Sequence, residues 1–296
     1  MSGTDIVVAE AADICCASCG IAEVDDVKLK PCDGCDLVRY CSDECQEDHR
    51  PEHEILCKKR VAELRDEILF KQPEKTHLGD CPICCLPIPL DEEERPSYSC
   101  CSNKICQGCF QAKWSLGGGT IDSVSCPFCR HPVCTKEEAD KNRMKRIEAN
   151  DPVAFRHFGA DLYAKGEYDA AFEFFTKAAD LGHASAHYKL SEMYDKGLSI
   201  EKDEKKELFH LEEAAIAGHP DARYDLGIYE WNKDRYDRAV KHWIIAANLG
   251  EDESLKELKE CYKDELVSKE DFAAALRAHH VAVKAMKSPQ REAAAR

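Results

Sequence analysis

Paired cysteines between residues 81 and 130 have the spacing of metal ligands. Three pairs are separated by two residues, and in the fourth pair Cys100 is followed directly by Cys101. The six members of the spaced pairs are Cys81, Cys84, Cys106, Cys109, Cys126 and Cys129. A C-x2-C turn directs two sulfurs at one ion, and zinc accepts four thiolates tetrahedrally at about 2.3 Å. Eight thiolates therefore predict two closed structural zinc sites.

A second set of eight candidate ligands, again in four pairs, precedes this stretch. Its members are Cys16, Cys19, Cys32, Cys35, Cys41, Cys45, His53 and Cys57. His53 and Cys57 are four residues apart, which places both on one helix face where they can share an ion. We expect His49, a rival ligand four residues after Cys45, to be a surface histidine. The remaining thiols lack partners at a useful spacing: Cys15, Cys85, Cys134 and Cys261.

The composition narrows the classes of partner. The 57 acidic and 41 basic residues give a formal net charge of −16. Such a surface repels phosphate backbones, so nucleic acid and anionic membranes are poor partners. No apolar stretch approaches the ~20 residues that span a bilayer, and the N-terminus lacks the basic region of a signal peptide. We therefore expect an intracellular protein in a reducing compartment, cytoplasm or nucleus, whose paired cysteines bind metal rather than form disulfides.

The ligands must be held by several small modules rather than by one domain. The predicted boundaries are 1–14 for a disordered tail, 15–57 for a first finger, 58–80 for a connecting helix and linker, 81–134 for a second finger, 135–150 for a linker helix, 151–286 for helical repeats and 287–296 for a tail. Val61, Leu64 and Ile68 recur at helical spacing, which predicts an amphipathic connector of about three turns that ends near Pro73.

Residues 151–286 contain a recurring pattern that ends in Ala-Ala and then Gly. Gly182, Gly218 and Gly250 are separated by 36 and 32 residues, a period typical of stacked helical hairpins. Each glycine suits the left-handed position that ends the second helix of a unit. Residues 254–286 are predicted to form a fourth, divergent helix pair. The predicted fold class is two small zinc-stabilised α+β fingers followed by an all-α solenoid.

The run YCSDECQEDHRPEHEILC, together with CASC and CDGC, closely resembles the MYND-type zinc finger over residues 16–57. In that family the ligand pairs alternate. The resemblance implies one zinc ion on Cys16, Cys19, Cys41 and Cys45, and another on Cys32, Cys35, His53 and Cys57. MYND fingers commonly bind proline-rich peptides through a Gln and a Trp four residues later. Gln46 matches the first, whereas Arg50 replaces the flat apolar platform of the second.

The segments CPICCLPIPL, SCCSNKICQGC and SCPFCR resemble a RING-type zinc finger with a crossed arrangement of ligands. The resemblance implies one zinc ion on Cys81, Cys84, Cys106 and Cys109, and another on Cys100, Cys101, Cys126 and Cys129. Most RING domains have a histidine where Asn103 stands, so the implied form is an all-cysteine variant. Neighbouring side chains diverge in extended backbone, and a finger with one zinc ion remains the alternative.

A RING finger performs no covalent chemistry. It binds a ubiquitin-conjugating enzyme and holds its thioester in a reactive pose, which lowers the entropic cost of transfer. The resemblance implies that this contact is made by Ile83, Trp114, Pro127 and Arg130. The structural alternative is that Pro127 shapes the zinc turn, Trp114 belongs to the core and Arg130 is a solvated charge.

The segment AFRHFGADLYAKGEYDAAFEFFTKAADLG resembles a Sel1-like repeat, a relative of the tetratricopeptide unit, and the resemblance covers about 151–250. It implies a curved scaffold that binds proteins. Two hypotheses follow from the sequence. The first is a RING-type E3 ubiquitin ligase whose repeats recruit substrate. The second is a non-enzymatic adaptor in which fingers and repeats only bind proteins.

Overall fold

The structure is a computed structural model that describes residues 15–24, 26–91, 95–116, 125–132 and 135–294. Contacts divide the chain into two compact units, Met1–Leu69 and Phe70–Arg296. The disordered tail predicted for residues 1–14 lies outside the described residues, as does Cys134.

The first unit has a minimal framework around its cysteines. Strands β1 (Lys30–Pro31) and β2 (Arg39–Tyr40) pair antiparallel, and helix α1 (Asp43–Leu69) follows. Among the described residues of this unit, the buried cluster contains two large apolar side chains, Leu29 and Tyr40, beside its cysteines. So small a core buries too little surface to fold by itself, and this finger therefore depends on bound metal.

Helix α1 differs from the predicted connector in length and in exposure. It has 27 residues and begins at Asp43, so the helix that carries Cys45, His53 and Cys57 continues without a break to Leu69. The predicted three-turn helix is only its last part. Val61 and Ile68, which we expected to pack, are exposed.

In the second unit, the described part of the second finger contains helix α2 (Gln107–Leu116) and three isolated bridges instead of regular strands. The bridges join Asp80 to Pro87, Ser97 to Lys104 and Ser125 to Pro132. Helix α3 (Lys136–Glu148) then leads into the repeats. Thr135 and Glu138 form a capping box at its start, which satisfies backbone N–H groups that have no partner inside the helix.

The repeats are consecutive helical hairpins, as predicted. Their helices are α4 (Pro152–Ala164), α5 (Tyr168–Asp180), α6 (Ala184–Lys196), α7 (Glu204–Ile216), α8 (Pro220–Trp231), α9 (Tyr236–Asn248), α10 (Asp252–Lys263) and α11 (Lys269–Ala285). Gly182, Gly218 and Gly250 follow the second helices with φ of 78°, 83° and 94°, the left-handed conformation expected from their spacing. The predicted fold class, small cysteine-rich fingers followed by a helical solenoid, is confirmed.

Residues 71–80, predicted to be a short linker, lie along the repeats. The Gln72 side chain accepts a hydrogen bond from Asn248 Nδ2 at 3.0 Å, and the His77 backbone N–H donates to the Gly218 carbonyl at 2.9 Å. The His77 ring stacks on His219 with centroids 4.1 Å apart. A Cβ on Gly218 would lie 2.7 Å from the Lys75 carbonyl oxygen, so glycine is required for this close approach.

The C-terminal segment is also more ordered than predicted. Residues 287–296 were assigned to a tail, but Pro289–Ala294 form helix α12, which packs on α2 of the second finger. The Ser288 hydroxyl accepts a hydrogen bond from the Arg291 backbone N–H at 3.2 Å, and Pro289 occupies the first helical position. A capping serine followed by proline is a helix-start signal, and Ser288 and Pro289 carry it in the sequence.

Candidate metal centres

The sixteen predicted ligands meet in four groups, which we name centres A to D. Centre A contains Cys16, Cys19, Cys41 and Cys45, centre B contains Cys32, Cys35, His53 and Cys57, centre C contains Cys81, Cys84, Cys106 and Cys109, and centre D contains Cys100, Cys101, Cys126 and Cys129. Within each group the ligand atoms all lie within 4.8 Å of one another. Zinc–sulfur bonds of about 2.3 Å at tetrahedral angles place neighbouring sulfurs roughly 3.8 Å apart, so these groups fit zinc.

Centre A joins a turn, the residue that follows strand β2 and the first turn of helix α1. The Cys41 sulfur lies 3.5 Å from that of Cys19 and 3.6 Å from that of Cys45. These shared contacts raise the pKa of the Cys41 thiol to about 12. Burial opposes ionisation of Cys16, but backbone N–H groups, with that of Cys19 foremost, outweigh it and lower the pKa of Cys16 to about 6. Because the surroundings of Cys16 favour its ionised thiolate, a metal cation can bind there with little cost for removing the proton.

Centre B contains the imidazole ligand. His53 is buried, and its Nε2 lies 3.1 Å from the Cys35 sulfur, while the sulfurs of Cys32 and Cys57 are 3.8 Å apart. The rival His49 is half-buried rather than a free surface residue. Its Nδ1 bonds to the Tyr40 hydroxyl at 3.0 Å, outside the ligand group. Three sulfurs and one nitrogen form a closed structural zinc set.

Centre C is the most enclosed of the four. Cys81, Cys106 and Cys109 are buried, and the Cys84 and Cys106 sulfurs are 3.8 Å apart. Helix α2 carries Cys109, and the backbone N–H of Cys106 points to the Cys81 sulfur at 3.5 Å. Four thiolates at such a site suit zinc rather than a hard cation.

In centre D the two adjacent cysteines, Cys100 and Cys101, both belong to the ligand group. The Cys100 sulfur lies 3.4 Å from Cys129, and the Cys101 sulfur lies 3.5 Å from Cys126. The backbone here is a turn and not a strand, since Ser102 has φ of 59° and its N–H bonds back to the Tyr98 carbonyl at 2.8 Å. In a turn, successive side chains can face one point. Four sulfurs therefore assemble here, as a finger with two zinc ions requires.

The four residues that the sequence proposed for partner binding belong to the same finger. Ile83 lies between two ligands of centre C and is 44% exposed. Pro127 is half-buried and Arg130 exposed, both at the last knuckle of centre D. Trp114 is half-buried and stacks on Phe110 with centroids 6.4 Å apart. The structure thus leaves Ile83 and Arg130 available on the surface and makes Trp114 partly structural.

One contact to a centre was not predicted from the sequence. Arg291, on helix α12, donates from Nη2 to the Cys84 sulfur at 3.3 Å. Although burial opposes ionisation of Cys84, donation from the Leu86 backbone and from Arg291 lowers the pKa of its thiol to about 7. The two residues are separated by 207 positions, and no local spacing could link them.

Comparison with known families agrees with the geometry. Residues 16–57 match the MYND finger model, and residues 154–183, 184–219 and 220–251 match the Sel1 repeat model. The chain carries a MYND finger and three Sel1 repeats. The MYND match spans centres A and B, and the cysteine groups of centres C and D indicate an additional zinc-binding finger.

Similar proteins share parts of this arrangement. The mouse protein DAP3-binding cell death enhancer 1 is 24% identical, over 55% of this chain and 42% of its own length. The yeast chitin synthase regulator SKT5, from Saccharomyces cerevisiae, is 34% identical, over 25% of this chain and 11% of its own length. A Sel1 repeat protein from Oxalobacter formigenes is 21% identical, with a TM-score of 0.44 over 61% of this chain and 74% of that chain. The chain thus spans less than half the length of these curated relatives.

The MYND finger supplies two groups of ligands that fit zinc, and the Sel1 repeats are modules of the protein-interaction type. In the part of the chain that the structure describes, no helix has the length and apolar character needed to cross a bilayer.

Proposed function

We propose that the second finger is a RING-type module that binds a ubiquitin-conjugating enzyme, and that the protein acts as a ubiquitin ligase whose Sel1 repeats recruit the substrate. The observation that carries this proposal is the interleaving of centres C and D. The first and third cysteine pairs form one group, and the second and fourth form the other. This cross-brace keeps Ile83 exposed beside centre C.

The finger would act by positioning. Ile83 and Trp114 offer apolar surface, and Arg130 offers a cation to hydrogen-bond an acceptor on the conjugating enzyme or its ubiquitin. Bound zinc supplies rigidity to these loops and takes no part in the transfer. Holding thioester and acceptor amine together converts a bimolecular encounter into a local one, which is the source of the rate gain.

The Sel1 repeats are the proposed recruitment surface. Stacked helical hairpins present an extended face on which neighbouring units bind one partner. The mouse relative is named for binding DAP3, which supports protein recognition as the role of the part that it shares with this chain. The excess of acidic residues favours a partner with basic surface.

The second candidate is a non-enzymatic adaptor. It is favoured by the packing of Trp114 on Phe110, because an indole that supports the finger is less available to a conjugating enzyme. Both candidates imply a reducing compartment, the cytoplasm or the nucleus, where the fifteen cysteine ligands remain free thiols that can bind metal.

The deciding experiment is ubiquitination in vitro with a panel of conjugating enzymes, comparing wild type with Ile83→Ala. We expect chain formation by wild type and at least a tenfold loss in the variant, since truncating an interface anchor costs more than about 1.4 kcal/mol. Leu276→Ala removes a similarly exposed apolar side chain from α11 and serves as the matched control. Absence of chain formation with all enzymes, or unchanged activity of Ile83→Ala, would favour the adaptor.

A further inference from the structure

Helix α12 is fastened to the second finger by a buried arginine. Arg291 is only 7% exposed, and its guanidinium has four hydrogen-bond acceptors in the described part of the chain. Nη1 donates to the carbonyl oxygens of Pro87 at 2.7 Å and Met286 at 2.6 Å, and Nη2 donates to the Leu86 carbonyl and the Cys84 sulfur, both at 3.3 Å. Three of these acceptors belong to the start of the finger: the sulfur is the second ligand of the first knuckle of centre C, and the Leu86 and Pro87 carbonyls lie in the loop that follows.

The surface of the finger is shaped for this helix. A Cβ on Gly108 would lie 3.0 Å from the Arg291 backbone nitrogen and Cα, so the glycine lets the α12 backbone lie against the finger without a displacement. Gln290 donates from Nε2 to the Gly108 carbonyl at 3.2 Å, and Gln111 donates to the Ala294 carbonyl at 2.9 Å. The contact therefore has shape complementarity and reciprocal hydrogen bonds in addition to the arginine.

The charges explain why an arginine is buried here. A buried cation is costly unless an anion compensates for it, and three of the Arg291 acceptors are neutral carbonyls. Four thiolates around one divalent ion carry a net charge of −2, which is equally costly in a buried site. The Cys84 contact joins the two, so each charge reduces the burial cost of the other. Hydrogen bonds to ligating atoms from outside the ligand set also hold those ligands in place.

Centre D of the same finger provides an internal comparison. Its side-chain donor in the described residues is a neutral amide, Asn103 Nδ2, which lies 3.3 Å from the Cys101 sulfur. Cys129 of this centre is exposed, whereas Cys81 of centre C is fully buried. The two centres have the same four-sulfur donor set and differ in their surroundings.

We propose that Arg291 is a positioning residue for zinc in centre C. The packing of α12 on the finger slows loss of the ion from this centre alone. The inference goes beyond ligase or adaptor activity, since it assigns a role in metal retention to a residue outside every ligand group.

The test follows zinc release from the full-length, zinc-loaded protein. Excess chelator is added, released zinc is measured with a chromogenic dye, and newly freed thiols are labelled with N-ethylmaleimide and located by mass spectrometry. The variants are Arg291→Gln, which removes the charge, and Arg291→Lys, which keeps it without the planar fork. Arg277→Gln, an exposed arginine on α11, is the matched control.

In Arg291→Gln we expect one zinc equivalent in four to leave about tenfold faster than in wild type, with Cys84 and Cys106 labelled first. Arg291→Lys should be intermediate and Arg277→Gln unchanged. The proposal would be overturned if Arg291→Gln released zinc at the wild-type rate, if all four centres released zinc faster to the same extent, or if Cys101 and Cys129 were labelled first. If Arg291→Gln does not fold, Gln290→Ala decides, because it removes a hydrogen bond that holds α12 on the finger while keeping the arginine and both knuckles of centre C, and it should also speed zinc release from centre C alone.

Discussion

Gly227 and Trp243 are in direct contact between the two helices of the third Sel1 repeat. A Cβ on Gly227 would lie 2.2 Å from Nε1 of Trp243, and the same nitrogen donates to the Tyr224 carbonyl at 3.3 Å. The indole is 1% exposed and is packed in the core of the repeat. Gly159 and Phe175 are the equivalent pair in the first repeat, with a corresponding distance of 3.0 Å.

This difference predicts unequal costs for the same substitution. Alanine is favoured over glycine in a helix by up to about 1 kcal/mol, but overpacking a rigid core costs about 1–3 kcal/mol or more. We expect Gly227→Ala to lower the free energy of unfolding by at least 2 kcal/mol, and Gly159→Ala to change it by less than about 1 kcal/mol. Urea unfolding followed by circular dichroism measures both. Equal costs would show that the Trp243 contact relaxes easily.

The two neighbouring histidines of α1 should differ in their effect on metal content. Since His53 faces the Cys35 sulfur and His49 bonds to Tyr40, we expect His53→Ala to lower the bound zinc by one ion per chain. His49→Ala should retain wild-type zinc and is the matched control. Elemental analysis of the purified proteins gives the count. If His49→Ala lost one ion and His53→Ala lost none, His49 and not His53 would be the zinc ligand.

Removing the metal should separate the fingers from the repeats. We expect elemental analysis to give four zinc ions per chain, and chelation to unfold the fingers while most of the helical circular dichroism signal remains. The reason is that metal binding contributes folding free energy only where ligands are bound, whereas α4 to α11 have apolar cores of their own. Cys15→Ser, outside all four centres, should still bind four ions. Complete loss of helical signal on chelation would mean that the repeats also need metal.

Stability should fall in acid partly because of a buried histidine. Burial first, and then the charges of Arg223 and Arg238, lower the pKa of His242 to about 2. The Phe70 ring packs against it, and Arg223 Nη1 lies 3.4 Å from its Nδ1. The folded protein therefore keeps His242 neutral, while the unfolded chain takes up a proton below its ordinary pKa of 6.5. Stability is lost as pH falls below 6.5, at up to about 1.4 kcal/mol per pH unit.

The measurement is urea unfolding at pH 7.5, 6.5 and 5.5 for wild type and His242→Gln. Loss of zinc in acid affects both proteins alike, so the comparison rests on the difference between their slopes. The glutamine variant should show the shallower slope below pH 6.5, whatever its stability at pH 7.5. Identical slopes would mean that His242 is protonated in the folded state.

Features with a local signature were predictable from the sequence. A C-x2-C turn, or His53 and Cys57 one helical turn apart, constrains its ligands through the backbone of a few residues. The left-handed Gly182, Gly218 and Gly250 were predictable for the same reason. Cys100 and Cys101 were harder to predict, because adjacent side chains diverge in extended backbone and no local residue pattern marks the turn that Ser102 closes.

Contacts between distant segments were not predictable. Arg291 meets Cys84 across 207 residues, and neither residue carries a local signal of the other. The segment around Lys75 lies on Gly218 for the same kind of reason, since a left-handed glycine that ends a helix does not reveal that another backbone crosses it. Only a structure places such pairs side by side.

The crossing of Gly218 by residues 71–80 has a consequence for the order of events during translation. The ribosome releases this segment long before it has made the repeat on which the segment rests, and Arg291 follows only after some seventy more residues. Until then the second finger lacks the Arg291 contact and the segment before it lacks the repeat that it lies on, so a pause in synthesis within the solenoid would prolong their exposure to chaperones and to competing metals.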